Sequence, residues 1–180
     1  MKNLHTCFLS LALILFAGCG QPTDHAEGHD HSAHGRQSSG AQDPGTVVTV
    51  DGVTIVEMTG NDQMKFNLEA FTVKSGDTVR LIFHNIGRLP KQAMGHNVVF
   101  LVEGADPNAF VTAASRARDN DYIPEELSDQ ILAYTEMLGP NQSDTIEFIA
   151  PEPGEYLYLC SFPGHLFGGM RGIMTVEPAE

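Results

Sequence analysis

Residues 154–170 read GEYLYLCSFPGHLFGGM. Gly154 to Cys160 is rich in aromatic and aliphatic residues and reads as a β-strand. Its last residue, Cys160, therefore emerges where a sheet meets a loop. His165 follows five residues on and Met170 five further, just before a second strand-like run, GIMTVE. A thiol, an imidazole and a thioether thus share one short strand connection. Pro163 fixes φ and stiffens the loop between the first two.

The thiol has no partner within the domain. Of three cysteines, Cys7 lies in an N-terminal apolar stretch, Cys19 ends it, and only Cys160 remains beyond. An exported small domain normally pairs its cysteines. A single one is buried and inert, or a ligand, or a nucleophile.

The N-terminus points to export. MKNLHTCFLSLALILFAGCG carries one lysine and then an apolar run from Phe8 to Ala17. That run is short for a bilayer span and ends in small residues, as a signal peptide does. Leu15-Phe16-Ala17-Gly18-Cys19 is similar to the lipobox of bacterial lipoproteins, with Phe16 where an aliphatic residue is usual. The expectation is a signal over residues 1–18 and lipidation of Cys19. A plain cleaved signal with Cys19 incidental is the alternative. Residues 19–45 are polar and rich in Gly, Ser and His, too poor in apolar groups to order themselves, and read as a flexible tether. About 25 such residues reach roughly 25–30 Å. His25, His29, His31 and His34 make this tether either a weak divalent-metal trap or a solvated spacer.

From residue 46 to 180 the texture is that of one β domain. VTIVEM, TVRLIFHN, NVVFLV, DTIEFIA, GEYLYLC and GIMTVE favour β-branched and aromatic residues, with turns such as Ser75-Gly76-Asp77 between them. Val79, Leu81 and Phe83 alternate with Thr78, Arg80 and Ile82, which predicts that the first set faces a core. The pattern predicts an all-β, Greek-key sandwich with one short helical insertion, opened by Asp106-Pro107 and running through Arg118. The formal charge of −13 over 180 residues makes nucleic acid an improbable partner.

Ala93-Met94-Gly95-His96-Asn97 supplies a second histidine, at the start of NVVFLV. A thiolate, two imidazoles and a distant thioether form the ligand set of a blue-copper site. Sulfur donors suit Cu(I) and imidazole suits Cu(II) as well, so one geometry serves both oxidation states. A metal would also hold Cys160 as the thiolate. Gly95 allows a backbone carbonyl close to the metal, and Asn97 is placed to hydrogen-bond the Cys160 loop against the His96 strand. Zinc could take the same ligands, although a thioether suits it poorly.

These motifs resemble the azurins and the related auracyanins, copper proteins of the cupredoxin fold. The resemblance runs from Gly60 to Val176 through GNDQMKFN, LPKQAMGHN, the DNDYIPEEL region and CSFPGH. It implies one copper ion per chain, cycling between Cu(II) and Cu(I). His96, Cys160 and His165 would be equatorial ligands, Met170 the axial thioether and the Gly95 carbonyl a weak opposite contact. His84 would match a buried histidine near the copper. Met64, Leu89, Ala93, Met94, Phe162, Pro163, Leu166 and Phe167 would form an apolar patch around His165, whose ring edge it would present to partners. The chain departs from azurins in a His165–Met170 loop one residue longer, through Gly168-Gly169, and in lacking the azurin disulfide.

The implied function is one-electron transfer outside the cytoplasm, in the bacterial periplasm or at the cell surface, by a protein that is not itself an enzyme. Its partners would be redox proteins such as cytochromes or a copper-containing reductase or oxidase. Membrane contact would be through the lipid anchor only. A copper storage or delivery protein, using the His-rich tether as intake, is the rival. A copper oxidase or nitrite reductase is disfavoured, because the folded part has no further histidine cluster.

Overall fold

The computed structural model describes residues 45–179. The signal over 1–18, Cys19 and all but the last residue of the 19–45 tether lie outside the described residues.

Two five-stranded sheets make up the domain. The first has β1 (Thr46–Val50), β2 (Val53–Asn61), β5 (Thr78–Asn85) and β8 (Ser143–Ile149) in that spatial order, with β3 (Lys65–Phe66) also paired to β2. The second runs β4 (Ala70–Lys74), β10 (Arg171–Glu177), β9 (Gly154–Leu159), β6 (Val99–Leu101) and β7 (Ile131–Tyr134). The β2–β5 and β4–β10 pairs are parallel and the others antiparallel. Consecutive strands switch sheets at β3–β4, β4–β5, β5–β6, β7–β8 and β8–β9, so the sandwich closes through crossovers as well as hairpins.

Alternation governs which side chains enter the core. In β5, Val79, Leu81, Phe83 and Asn85 are buried while their neighbours are half-exposed, because successive side chains point to opposite faces. Phe66, Phe71, Phe83, Phe100 and Tyr158 fill the space between the sheets. Phe100 and Tyr158 lie 5.4 Å apart and Phe66 meets Phe83 edge-on at 5.8 Å, arrangements that aromatic quadrupoles favour. The Tyr158 hydroxyl donates to the Leu68 carbonyl at 2.7 Å, so its polar end is satisfied.

The helical insertion is shorter than its sequence pattern. Helix α2 spans Pro107–Ala114, with the Asp106 carboxylate accepting from the Asn108 N–H at 2.8 Å. Beyond Ser115, Arg118–Asn120 form a 3₁₀ turn, and Asp121 and Tyr122 then take positive φ, which no right-handed helix accommodates. A four-residue helix α1 (Lys91–Met94) and a second 3₁₀ segment (Glu125–Gln130) were not foreshadowed by the sequence pattern, being too short to show a helical period.

Register brings the cysteine and histidine loops together. Val99 of β6 pairs with Leu159 of β9, so His96 and Cys160 leave adjacent strands at the same end. Arg171 of β10 pairs with the same Leu159, which places Met170 beside Cys160.

Candidate metal centre

Each donor is fixed by backbone before any side chain is considered. His96 exchanges two hydrogen bonds with Leu138: its N–H donates at 3.1 Å and its carbonyl accepts at 2.8 Å. The Cys160 N–H donates to the Met170 carbonyl at 3.1 Å, and the Met170 N–H donates to the His165 carbonyl at 2.9 Å. Between them the loop curls tightly, with the His165 N–H on the Phe162 carbonyl at 3.1 Å. Gly164 takes φ of +87° and Gly169 +90°, a region that residues with a Cβ seldom enter.

The side chains converge at this end. His96 Nδ1 lies 3.2 Å from His165 Nδ1, and Cys160 Sγ lies 3.3 Å from the same His165 atom. One ligating atom from each of the three residues falls within 4.8 Å of the others, the one such group among the described residues. His96 and Cys160 are fully buried, as is Met170, and His165 is 2% exposed. Met170 packs over Gly60, where an added Cβ would meet the Met170 Cε at 2.8 Å and Phe83 Cζ at 2.9 Å.

Burial controls the protonation of all three groups. It pushes the Cys160 thiol up to about 12, against the pull of backbone N–H groups at Asn97 and Phe162. Burial lowers His96 to about 4, opposed by Asp62 and the Asn61 backbone. His165 falls to about 4 through burial and the neighbouring His96. At neutral pH both imidazoles are therefore neutral, with lone pairs free to donate.

These residues fit a copper ion. Three donors bound to one ion at about 2.0–2.3 Å would stand roughly 3.3–3.8 Å apart, close to the 3.2 and 3.3 Å that separate His165 Nδ1 from His96 and Cys160. Two facing imidazole Nδ1 atoms, with a thiol beside one of them, are a set for which burial without a cation has little to offer. The soft sulfur and borderline nitrogens are donors that copper accepts in either oxidation state. One consequence is measurable. Loading Cu(II) at pH 7 should release about one proton per ion, from Cys160, with none from the neutral rings. Below pH 4 both rings gain protons and compete, so affinity falls more steeply there. Titration calorimetry in buffers of different ionisation enthalpy checks this, and release of two or more protons at pH 7 would contradict it.

Around this group, Asn97 ties the two ligand segments together. Its Nδ2 donates to Ser161 Oγ at 2.9 Å, and its Oδ1 accepts from the Ser161 N–H at 2.9 Å and hydroxyl at 3.2 Å. Both residues are fully buried. Phe162 stacks at 4.6 Å from the His165 ring, and Tyr122 meets Phe162 at 5.1 Å. The Gly95 carbonyl lies 3.9 Å from Cys160 Sγ. Gly95 is required by space and not by φ, since a Cβ there would meet the Lys91 carbonyl at 2.7 Å and Met137 Sδ at 3.0 Å.

Three expectations need correction. His84 is not buried by the metal group: β5 alternation turns it outward, opposite Phe83 and Asn85, and its Nδ1 bonds Ser143 Oγ at 2.6 Å. Leu166 is not on the surface patch. It is 4% exposed and packs inward with Val99, Phe110 and Leu159, whereas its neighbour Phe167 is 75% exposed. The His165 ring edge is covered too, so the exposed apolar groups there are Phe167 and Leu89, with Met64 and Met94 half-buried and Ala93 and Pro163 exposed. Sequence reading missed Ser161, Met137 and Asn85. The last, buried, donates to the Leu138 carbonyl at 3.0 Å and so braces the bridge that holds His96. Its inward position was legible from the β5 alternation.

The model of the copper-binding proteins of the plastocyanin/azurin family matches residues 53–177. Auracyanin-B of Chloroflexus aurantiacus is 35% identical over 149 residues, covering 82% of this chain and 62% of its own length. Azurin of Pseudomonas aeruginosa is 36% identical over 127 residues, covering 68% of this chain and 84% of its own. Among solved structures, the dithionite-reduced auracyanin of Roseiflexus castenholzii superposes with a TM-score of 0.63 at 36% identity, over 72% of this chain and all of that one. The chain belongs to the plastocyanin/azurin family of copper-binding proteins, with a cupredoxin sandwich for its fold.

Proposed function

We propose that the protein is a one-electron carrier working outside the cytoplasm on a lipid tether. His96, Cys160 and His165 would hold the metal, with the Met170 thioether and the Gly95 carbonyl as weaker additional donors. When bound, copper supplies one reversible electron through the Cu(II)/Cu(I) couple. The chain's part is to keep the donors in one place in both states. The observation that carries this reading is the preformed, buried triad, with Asn97 and the His96–Leu138 bridge fixing its geometry. A carrier of this kind retains its metal through repeated cycles. Loss of copper on each reduction, measured by metal analysis after rapid desalting, would favour storage or delivery instead.

Electrons would cross the apolar surface at Phe167, Leu89, Met64 and Met94. Exposed apolar patches mark contact sites, and weak redox encounters use interfaces below about 1,200 Å². Met94→Lys should slow electron self-exchange severalfold while leaving the visible spectrum unchanged, because the added charge must be desolvated and two copies repel. NMR line broadening of mixed oxidation states measures this; an unchanged rate would place the route elsewhere.

The apolar run ending at Ala17-Gly18-Cys19 supports anchoring through Cys19. On fractionation, Cys19→Ala should move the protein from the membrane to the soluble fraction. Equal retention of both forms would exclude that anchor.

A further inference from the structure

We infer that Lys65 is a positioning residue for the metal loop: its ammonium clasps the Gly168-Gly169 turn and thereby sets Met170. Lys65 sits in β3, opposite Asn61 of β2. Its Nζ donates to the Gly168 carbonyl at 3.0 Å, across 103 residues of sequence. Among the described residues no carboxylate pairs with it. A charge-assisted bond of this kind is stronger than a neutral one, and partial burial shields it from water.

The turn before Lys65 is shaped to deliver it. Met64 takes φ of +55°, a left-handed conformation that costs a residue with a Cβ. The turn is held by the Met64 N–H on the Asn61 carbonyl at 3.0 Å and the Gln63 N–H on Asn61 Oδ1 at 2.9 Å. It presents two adjacent side chains to the metal loop. A Cβ added at Gly168 would meet Met64 Sδ at 2.9 Å, and one added at Gly169 would collide with Lys65 Nζ. The two glycines and the Met64-Lys65 pair are therefore complementary. Gly168 and Gly169 immediately precede Met170, whose backbone is bonded to both Cys160 and His165. Holding Gly168 fixes where Met170 enters the site. A cation bonded there also disfavours the more positive Cu(II), so it raises the reduction potential.

This rests on the copper reading of the triad, but the clasp is testable without metal. In the full-length metal-free protein, Lys65→Met should speed amide hydrogen exchange at Gly168, Gly169 and Met170 roughly tenfold or more. Exchange in β5 and β9 should be unchanged, and Lys65→Arg should restore protection. In the copper-loaded protein, Lys65→Met should lower the reduction potential and Lys65→Arg should return it toward wild type. Unchanged loop exchange in Lys65→Met would overturn the clasp. A potential that Lys65→Arg fails to restore would overturn the positioning role. Failure of the copper reading would appear separately, as a wild-type protein that takes up copper without an intense thiolate band.

Discussion

Cys160→Ser is expected to abolish the intense blue absorption of the copper-loaded protein while leaving the fold in place. The band requires a covalent bond between a soft thiolate and copper, and a hydroxyl oxygen cannot form it. The substitution is nearly isosteric. Cys160 is fully buried, and its sulfur meets the Gly95 carbonyl, His165 and the backbone N–H groups of Asn97 and Phe162, contacts that a hydroxyl can also make. The sandwich around it is held by Phe83, Phe100 and Tyr158, which the change does not touch. Near-wild-type denaturant unfolding of the metal-free variant, together with a colourless or pale copper complex, is the expected pair of results. A variant that stays intensely blue would show that the thiolate is not the donor.

Asn97→Ala should have the next largest effect. It removes three buried hydrogen bonds to Ser161 at once and leaves the Ser161 N–H and hydroxyl without partners away from water. Buried unsatisfied groups cost about 1–3 kcal/mol each, so a loss of about 3 kcal/mol of stability is expected. Partners that orient metal ligands are typically worth 10–100-fold in affinity, and copper binding should weaken by about that factor. Chemical denaturation and competitive copper titration measure the two effects. A variant with unchanged affinity would mean that the Cys160 and His96 segments are held together by other means.

The donors were legible because their chemistry is rare: a lone cysteine with a histidine and a methionine at fixed spacing has few uses in a small β domain. Inward residues of β5 were legible because strict alternation survives in a central strand buried on one face. The same alternation, applied to His84, points it outward, and here the resemblance was the poorer guide. Leu166 and Phe167 show another limit. They are adjacent, apolar and in a loop without a period, so only the turn's path decides that the first is buried and the second exposed. Edge elements were harder still. β1 exposes every residue, including Val47, Val48 and Val50, and so carries no inside–outside signal. β3 has two residues, too few for any pattern, yet it delivers Lys65 to the metal loop. That contact joins positions 103 residues apart and depends on Met64 adopting a left-handed backbone, which its residue type disfavours.

The central claim is that one preformed His96–Cys160–His165 group holds copper as a reversible one-electron centre. Its most direct test is a visible-absorption titration of the wild-type protein with Cu(II), followed by cycles of reduction and reoxidation. The account predicts an intense blue band that saturates at one ion per chain, bleaches on reduction and returns in full without added copper. A band that never forms, or that fades with each cycle as metal is lost, would contradict it.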